Sequence, residues 1–240
     1  MKDAAIVTGA SSGIGLAISR TLCRLGFEVF GIGRNFKETI PAQDGFHKVV
    51  CDVLDTGRIC EIVRGIAKQN RVTVLVNNAG VAFFGLHEEL NAKKIQQMVR
   101  TNLEVPMILT CQLLRELKKN AGYVINISSV TAYGTNPHGC AYGATKAGLS
   151  GFSHSLFDEA RKYGDKVVTI SPDMTRTDFY RNADFGEGDE AESYLTPEEV
   201  ADVVEYALSR RSGLVVSDIT LKPQIHRIKR KGKQENPPAE

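Results

Sequence analysis

Tyr142 and Lys146 lie four residues apart in the stretch YGATK, a spacing that puts both side chains on one face of a helix and within reach of one ligand. A free phenol titrates near about pH 10, so bringing it to neutrality means favouring the phenolate by roughly 4 kcal/mol. An ammonium at about 4 Å, in surroundings of effective dielectric about 20, supplies nearly that much. Beside a nicotinamide such a pair is a general acid or base that needs no histidine. The plainer reading of any isolated YxxxK is an exposed tyrosine over an exposed lysine. Upstream, the stretch YVINISS ends in Ser128 and Ser129, the latter thirteen residues before Tyr142. A hydroxyl there can donate to a substrate carbonyl oxygen while Tyr142 transfers the proton; its plainer role is a turn or helix cap.

A second constellation lies near the start of the chain. TGASSGIG, from Thr8 to Gly15, follows the apolar run DAAIVT and precedes the helix-like LAISRTLCRLG, which makes a strand–turn–helix unit. The free N–H groups of such a turn and the positive end of the helix dipole favour an anion, and Gly9, Gly13 and Gly15 let a pyrophosphate approach without a Cβ in the way. Ser11, Ser12 and Ile14 belong to the same turn. Cofactor choice is read at the end of the second strand, where a carboxylate would bind the ribose 2′-OH of NAD. Gly33-Arg34-Asn35 stands there instead. A guanidinium meets a 2′-phosphate with charge-assisted hydrogen bonds, which favours NADP(H). Arg34 stacked on adenine would leave NAD(H) open.

The elements that must position these residues alternate. Apolar runs at 27–32, 46–50, 72–76, 123–127 and 166–170 join the first near 4–8, and helix-length segments cover roughly 14–25, 56–69, 88–100, 103–119, 142–163 and 197–210. This alternation predicts an α/β, Rossmann-type doubly wound parallel sheet in a single domain over 1–222. Between Arg34 and Gly45 the connection is short and interrupted by Pro41, so one turn or irregular structure is expected there. Thr196-Pro197-Glu198-Glu199 combines an N-cap, a proline at the first helical position and a capping glutamate. After Lys222 the chain turns basic and then Pro-rich, a solvated flexible tail over 223–240 that includes Arg227, Lys229, Arg230, Lys231 and Lys233.

The 240 residues are 42% hydrophobic and 24% charged with a formal charge of +2, which points to neither nucleic acid nor an acidic partner. Apolar stretches fall short of the roughly 20 residues of a membrane span, and Met1-Lys2-Asp3 leads into the first strand without room for a signal peptide. Cys23, Cys51, Cys60, Cys111 and Cys140 are widely spaced with no CxxC, so neither a disulfide framework nor a metal site is expected, and a reducing cytoplasm is. His87 and His154 lack clustered ligand partners, and His138 and Cys140 read as pocket walls.

TGASSGIG, NNAG at Asn77 to Gly80, Asn102, Ser129 and YGATK together resemble the short-chain dehydrogenase/reductase family, in its order and spacing, from residue 3 to about 222. The resemblance implies seven strands and hydride transfer between NAD(P) and a carbonyl or alcohol. It implies Tyr142 as acid/base, Lys146 lowering the tyrosine pKa and binding the nicotinamide ribose, Ser129 orienting substrate and Asn102 holding a relay water. It places Asp52 and Val53 beside the adenine, has Asn78, Ala79 and Gly80 line the cleft, and matches Thr177 to a threonine near the nicotinamide amide. One departure is Pro172-Asp173 where the family usually has Pro-Gly, which puts a side chain near the cofactor.

The segment DFYRNADFGEGDEAESY reads as a mobile lid over a small carbonyl or alcohol substrate. The resemblance also suggests a homodimer or homotetramer through the helices around 103–119 and 142–163. Leu149, Phe152, Leu156 and Phe157 serve either that interface or the chain's own core. A specific alternative is a 3-oxoacyl-acyl-carrier-protein reductase docking its carrier on Arg176 and Arg181. An alternative of another class is a non-catalytic NADP(H) sensor, against which the intact Asn102, Ser129, Tyr142 and Lys146 stand.

Overall fold

The structure, a computed structural model, describes residues 2–37 and 44–231. The turn expected around Pro41, and Lys233 with the Pro-rich end of the tail, lie outside the described residues. Strand β1 (Asp3–Thr8) is buried from Ala4 onward and runs through the glycine turn into α1 (Gly13–Arg24). There follow β2 (Glu28–Gly33), β3 (Phe46–Val50), α2 (Thr56–Gln69), β4 (Arg71–Asn77), α3 (Ala92–Val99), α4 (Val105–Asn120), β5 (Tyr123–Ile127), α5 (Cys140–Ala160), β6 (Lys166–Pro172), β7 (Phe185–Glu187), α6 (Pro197–Leu208), β8 (Asp218–Leu221) and β9 (Ile228–Arg230).

Seven strands pair in the order β3-β2-β1-β4-β5-β6-β8, every pair parallel. Both faces are covered, so successive residues of one strand feed different cores. Leu75 and Val124 pack with Ile59, Val63, Leu109, Leu113 and Leu117 on one face. Val76 and Ile125 pack with Ile18, Leu22, Val200 and Val204 on the other. Leu149 and Leu156 are buried within the chain, at 1% and 6% exposure; of the two readings open to them, this is the chain's own core.

The caps follow the sequence. Glu199 N–H donates to the Thr196 hydroxyl, and the Glu199 carboxylate accepts from Thr196 N–H at 2.7 Å, a complete capping box that starts α6 at Pro197. The expected helix 88–100 is shorter: a 3₁₀ turn covers His87–Glu89, α3 begins after the cap of Asn91, and a π turn over Arg100–Glu104 joins it to α4. Helix α5 begins at Cys140, two residues before the expected start, and ends in a 3₁₀ turn at Arg161–Tyr163.

Two features depart from expectation. The seventh strand of the sheet is β8, a four-residue DITL with half its side chains exposed. The tail past Lys222 carries exposed side chains, yet over 228–230 it is a strand, paired antiparallel to β7 of the lid in the registers Phe185↔Arg230, Gly186↔Lys229 and Glu187↔Ile228. Backbone pairing is available there because the three-residue β7 lies outside the main sheet and presents an edge that the sheet does not use.

Candidate active-site cleft

Strand order reverses between β1 and β4, and a cleft opens at the carboxyl ends of the strands on either side of that point, where open α/β sheets take their ligands. Its floor at one end is the glycine turn. Gly9 has φ +67°, and a Cβ there would stand 2.9 Å from Ala79 Cα. A Cβ on Gly15 would stand 2.3 Å from the Gly9 carbonyl oxygen. Thr8 ties this turn to β4: its hydroxyl donates to the Val76 carbonyl and accepts from the N–H groups of Asn78 and Ala79. The Asn78 amide donates in turn to the carbonyls of Thr8 and Gly9. Ser12, at the N-cap of α1, gives no side-chain hydrogen bond to the first turn, so the N–H groups there face the cleft without an internal cap.

Around this floor lie Gly9, Ser11, Ser12, Ile14, Gly15, Arg34, Asp52, Val53, Asn78, Ala79, Gly80, Ser129, Tyr142, Lys146, Pro172 and Thr177, all lining one cleft. Four residues read as site or wall residues do not line it: His138 and Cys140 lie outside it, as do Asn35 and Asn102. Asn35 is exposed and outside, because β2 has ended at Gly33 and the chain is already leaving the sheet edge. Asn102, 1% exposed, is sealed behind it in the π turn. Its amide is well anchored: Oδ1 accepts from Val81 N–H at 2.9 Å, and Nδ2 donates to the Val81 carbonyl at 2.8 Å and to Thr145 Oγ1 at 3.1 Å. The side chain thereby fixes the cleft wall to α5 and keeps one acceptor site on Oδ1. Thr145 passes the connection on by donating to the Tyr142 carbonyl.

At the other end Tyr142 and Lys146 share a face of α5, 7% and 4% exposed. The Lys146 ammonium donates to the Ile127 carbonyl at 2.7 Å and stands 5.8 Å from the centre of the Tyr142 ring. Burial pushes the Tyr142 phenol up to about 12, and a hydrogen bond with Ser129 is what pulls it back. Burial pushes the lysine down to about 8. Desolvation acts on both groups, moving the phenol up and the amine down. Asp173 lines the cleft, its Oδ1 capping the N–H of Met174 at 2.8 Å.

Over Tyr142 lies a roof that periodicity could not reveal. Phe84, from the loop after β4, and Phe179, from the lid, each bring a ring centre to 5.8 Å from Tyr142. Tyr180 packs on both at 6.0 and 5.3 Å, and Phe185 closes the cluster. The signal available was paired aromatics in otherwise polar loops, Phe83-Phe84 and Phe179-Tyr180. The lid is pinned at its base, where Leu195 N–H donates to the Met174 carbonyl and Arg176 N–H to the Leu195 carbonyl. The basic segment 225–231 straps its outer edge: Arg227 pairs with Glu190, Lys229 with Asp189 at 2.8 Å, and the Lys231 ammonium donates to the Tyr180 carbonyl. Arg176, a docking candidate only in the carrier-protein alternative, is paired with Glu187 and stacked on Tyr194.

Sequence and structure comparisons agree with this geometry. The chain belongs to the short chain dehydrogenase family, whose description matches residues 3–187. An uncharacterized oxidoreductase of Staphylococcus epidermidis is 32% identical over 225 residues, covering 91% of this chain and 96% of that protein. The serine 3-dehydrogenase of Rhizobium radiobacter is 30% identical over 235 residues, 93% and 94% of the two chains. Among solved structures, an alcohol dehydrogenase from the archaeon Thermococcus sibiricus, complexed with 5-hydroxy-NADP, superposes with a TM-score of 0.83 at 24% identity over 95% and 98% of the chains. A metagenomic short-chain oxidoreductase in complex with NADP gives 0.78 at 27% identity over 93% and 97%. The chain is thus an oxidoreductase acting on CH–OH or C=O groups. Among the described residues no helix is long and apolar enough to cross a membrane.

Proposed function

We propose that this protein is a cytoplasmic NADP(H)-dependent reductase of ketones or aldehydes, and in reverse a dehydrogenase of the corresponding alcohols, with Tyr142 as acid and base. The observation that carries the reading is the convergence of Ser129, Tyr142 and Lys146 at one end of a cleft whose other end is a turn that admits no Cβ at Gly9 or Gly15. That turn fits a dinucleotide: close backbone, an uncapped helix start and Arg34 at the rim suit a pyrophosphate and a 2′-phosphate. The neighbours solved with NADP and, in 4-hydroxyisoleucine dehydrogenase, with NADH support a nicotinamide cofactor.

Reduced nicotinamide, when bound, supplies the hydride that the carbonyl carbon accepts. Tyr142 gives its proton to the carbonyl oxygen as that oxygen becomes an alcohol. A phenol held near 12 is fully protonated at neutral pH, so the residue stands ready as a donor. Ser129, already hydrogen-bonded to the phenol, positions the same oxygen. Lys146 holds a positive charge beneath the ring below about pH 8 and stabilises the phenolate left when the proton has been given up. Asn102 acts on the reaction through Val81 and Thr145 as a positioning residue. The partner surface in this reading is a second copy of the chain on the α4 and α5 side, where Met107 and Cys111 are exposed.

The test is NADPH and NADH oxidation across aldehydes, ketones, diketones and a 3-oxoacyl thioester, with L-serine and NADP⁺ as the oxidative arm. The expected result is carbonyl turnover that falls at least about 1,000-fold in Tyr142→Phe while NADPH binding persists, and an NADPH preference that Arg34→Ala reduces by about 10-fold. Tight NADPH binding with no turnover of any carbonyl or alcohol would instead support a nucleotide sensor. Equal or tighter NADH binding would sink the cofactor assignment.

A further inference from the structure

Tyr142 is not the only phenol at the reacting end of the cleft. Tyr180 also lines it, and both rings are held between the same two neighbours, Phe84 and Phe179. The Tyr180 ring makes three aromatic contacts, with Phe84, Phe179 and Phe185, yet among the described residues no hydrogen bond satisfies its hydroxyl. Burial, and then the nearness of Tyr142, Asp173 and Glu187, push this phenol far above its usual range, so it is a hydrogen-bond donor and never an anion at working pH. A half-enclosed tyrosine hydroxyl ordinarily finds a partner. Its own loop supplies none, and the residue lines the cleft.

We propose that Tyr180 is a specificity-determining residue that donates a hydrogen bond to a second oxygen of the substrate, so that the enzyme selects neutral, apolar or aromatic carbonyl compounds carrying an oxygen next to the reacting C=O. This rests on the reductase reading above. Phe179, which lines the cleft between the two phenols, provides a flat apolar wall on which such a substrate lies, with Phe84 packed behind the tyrosine rings. The two phenols then address adjacent oxygens: Tyr142 transfers a proton to the one being reduced, and Tyr180 holds the other. Asp173, which lines the cleft near Tyr180, disfavours an anionic group at that position and so counts against 2-oxo acids. A cleft built to hydrogen-bond a substrate oxygen rejects the analogue lacking it far more strongly than an apolar wall rejects an extra group.

The experiment compares 1-phenyl-1,2-propanedione with propiophenone, which lacks the second oxygen, and phenylpyruvate, which makes it anionic, in wild type and Tyr180→Phe. Phenylalanine keeps the ring and its stacking, so the variant folds. Expected is a kcat/KM for the diketone at least about 10-fold above either comparator, collapsing toward parity with propiophenone in Tyr180→Phe, with the loss in KM rather than kcat. A diketone preference that survives Tyr180→Phe overturns the proposal, as does a wild-type preference for phenylpyruvate. Calorimetric titration of the diketone and propiophenone into the protein–NADP(H) complex reads the same ratio without turnover. Discrimination in binding with no turnover therefore counts against the reductase reading alone, and turnover without discrimination counts against Tyr180 alone.

Discussion

Around Gly9 and Gly15 the cleft is made of backbone, locked by the Thr8 and Asn78 hydrogen bonds and leaving no space for a single added carbon. Around Tyr142 it is made of rings, brought in by two loops and held by exposed ion pairs between lid and strap. The first end is stiff because the Thr8 and Asn78 hydrogen bonds tie the turn to β4 and the segment after it. The second is cheap to open, since exposed ion pairs contribute about 0–1 kcal/mol each and weaken with salt. A shared ligand can be gripped by the stiff end, while the end that must admit different substrates is free to move and to vary.

The sharpest way to break this contrast is Gly15→Ala. Because the new Cβ meets the Gly9 carbonyl at 2.3 Å, the turn must shift, at about 1–3 kcal/mol and up to about 100-fold in NADPH affinity. Fluorescence titration that finds unchanged affinity would show the floor to be as pliable as the roof. Lys146→Met probes the seam between the two ends. Its lowered pKa, from 10.5 to about 8, means the unfolded chain binds more protons between those values, so stability rises with pH across that window and the full penalty applies below it. That penalty is about 3 kcal/mol, offset by about 1 kcal/mol for the bond to Ile127. The variant is expected to lose activity at least about 100-fold and yet melt above the parent at pH 7, with the margin shrinking toward pH 10. A lower melting temperature at pH 7 would mean the buried amine is better solvated than the geometry indicates.

The smallest effect is expected at the strap. Arg227→Glu with Lys229→Glu leaves the seven-stranded sheet untouched, so the melt should hold while substrate KM rises by about 3-fold to 10-fold, from a loss of about 1 kcal/mol of lid closure. High salt should reproduce part of that rise in the parent. An unchanged KM would show that the rings alone hold the roof.

What could be read from the sequence divides along the same line. Periodicity located β3, β5 and α2 at their observed ends, and turn chemistry located Gly9, Gly15 and the Thr196 cap, because local rules fix those elements. Strand β8 escaped because four residues carry no pattern, and β7 with β9 escaped because neither forms without the other. Phe84 and Tyr180 meet only through loop conformations that spacing does not determine. Asn35 was read as part of a rim that the chain leaves one residue earlier. The burial that raises the Tyr142 phenol was not legible either, because charge is visible in a sequence and burial is not.

The position of β9 downstream of every strand of the main sheet also sets an order of events during synthesis. A growing chain that has reached Leu221 already contains all seven strands and the glycine turn, whereas the segment that fastens the roof has yet to emerge. The nucleotide end can therefore be complete while the reacting end still stands open, and the enclosed chamber around Tyr142 is the last part of this enzyme to come into being.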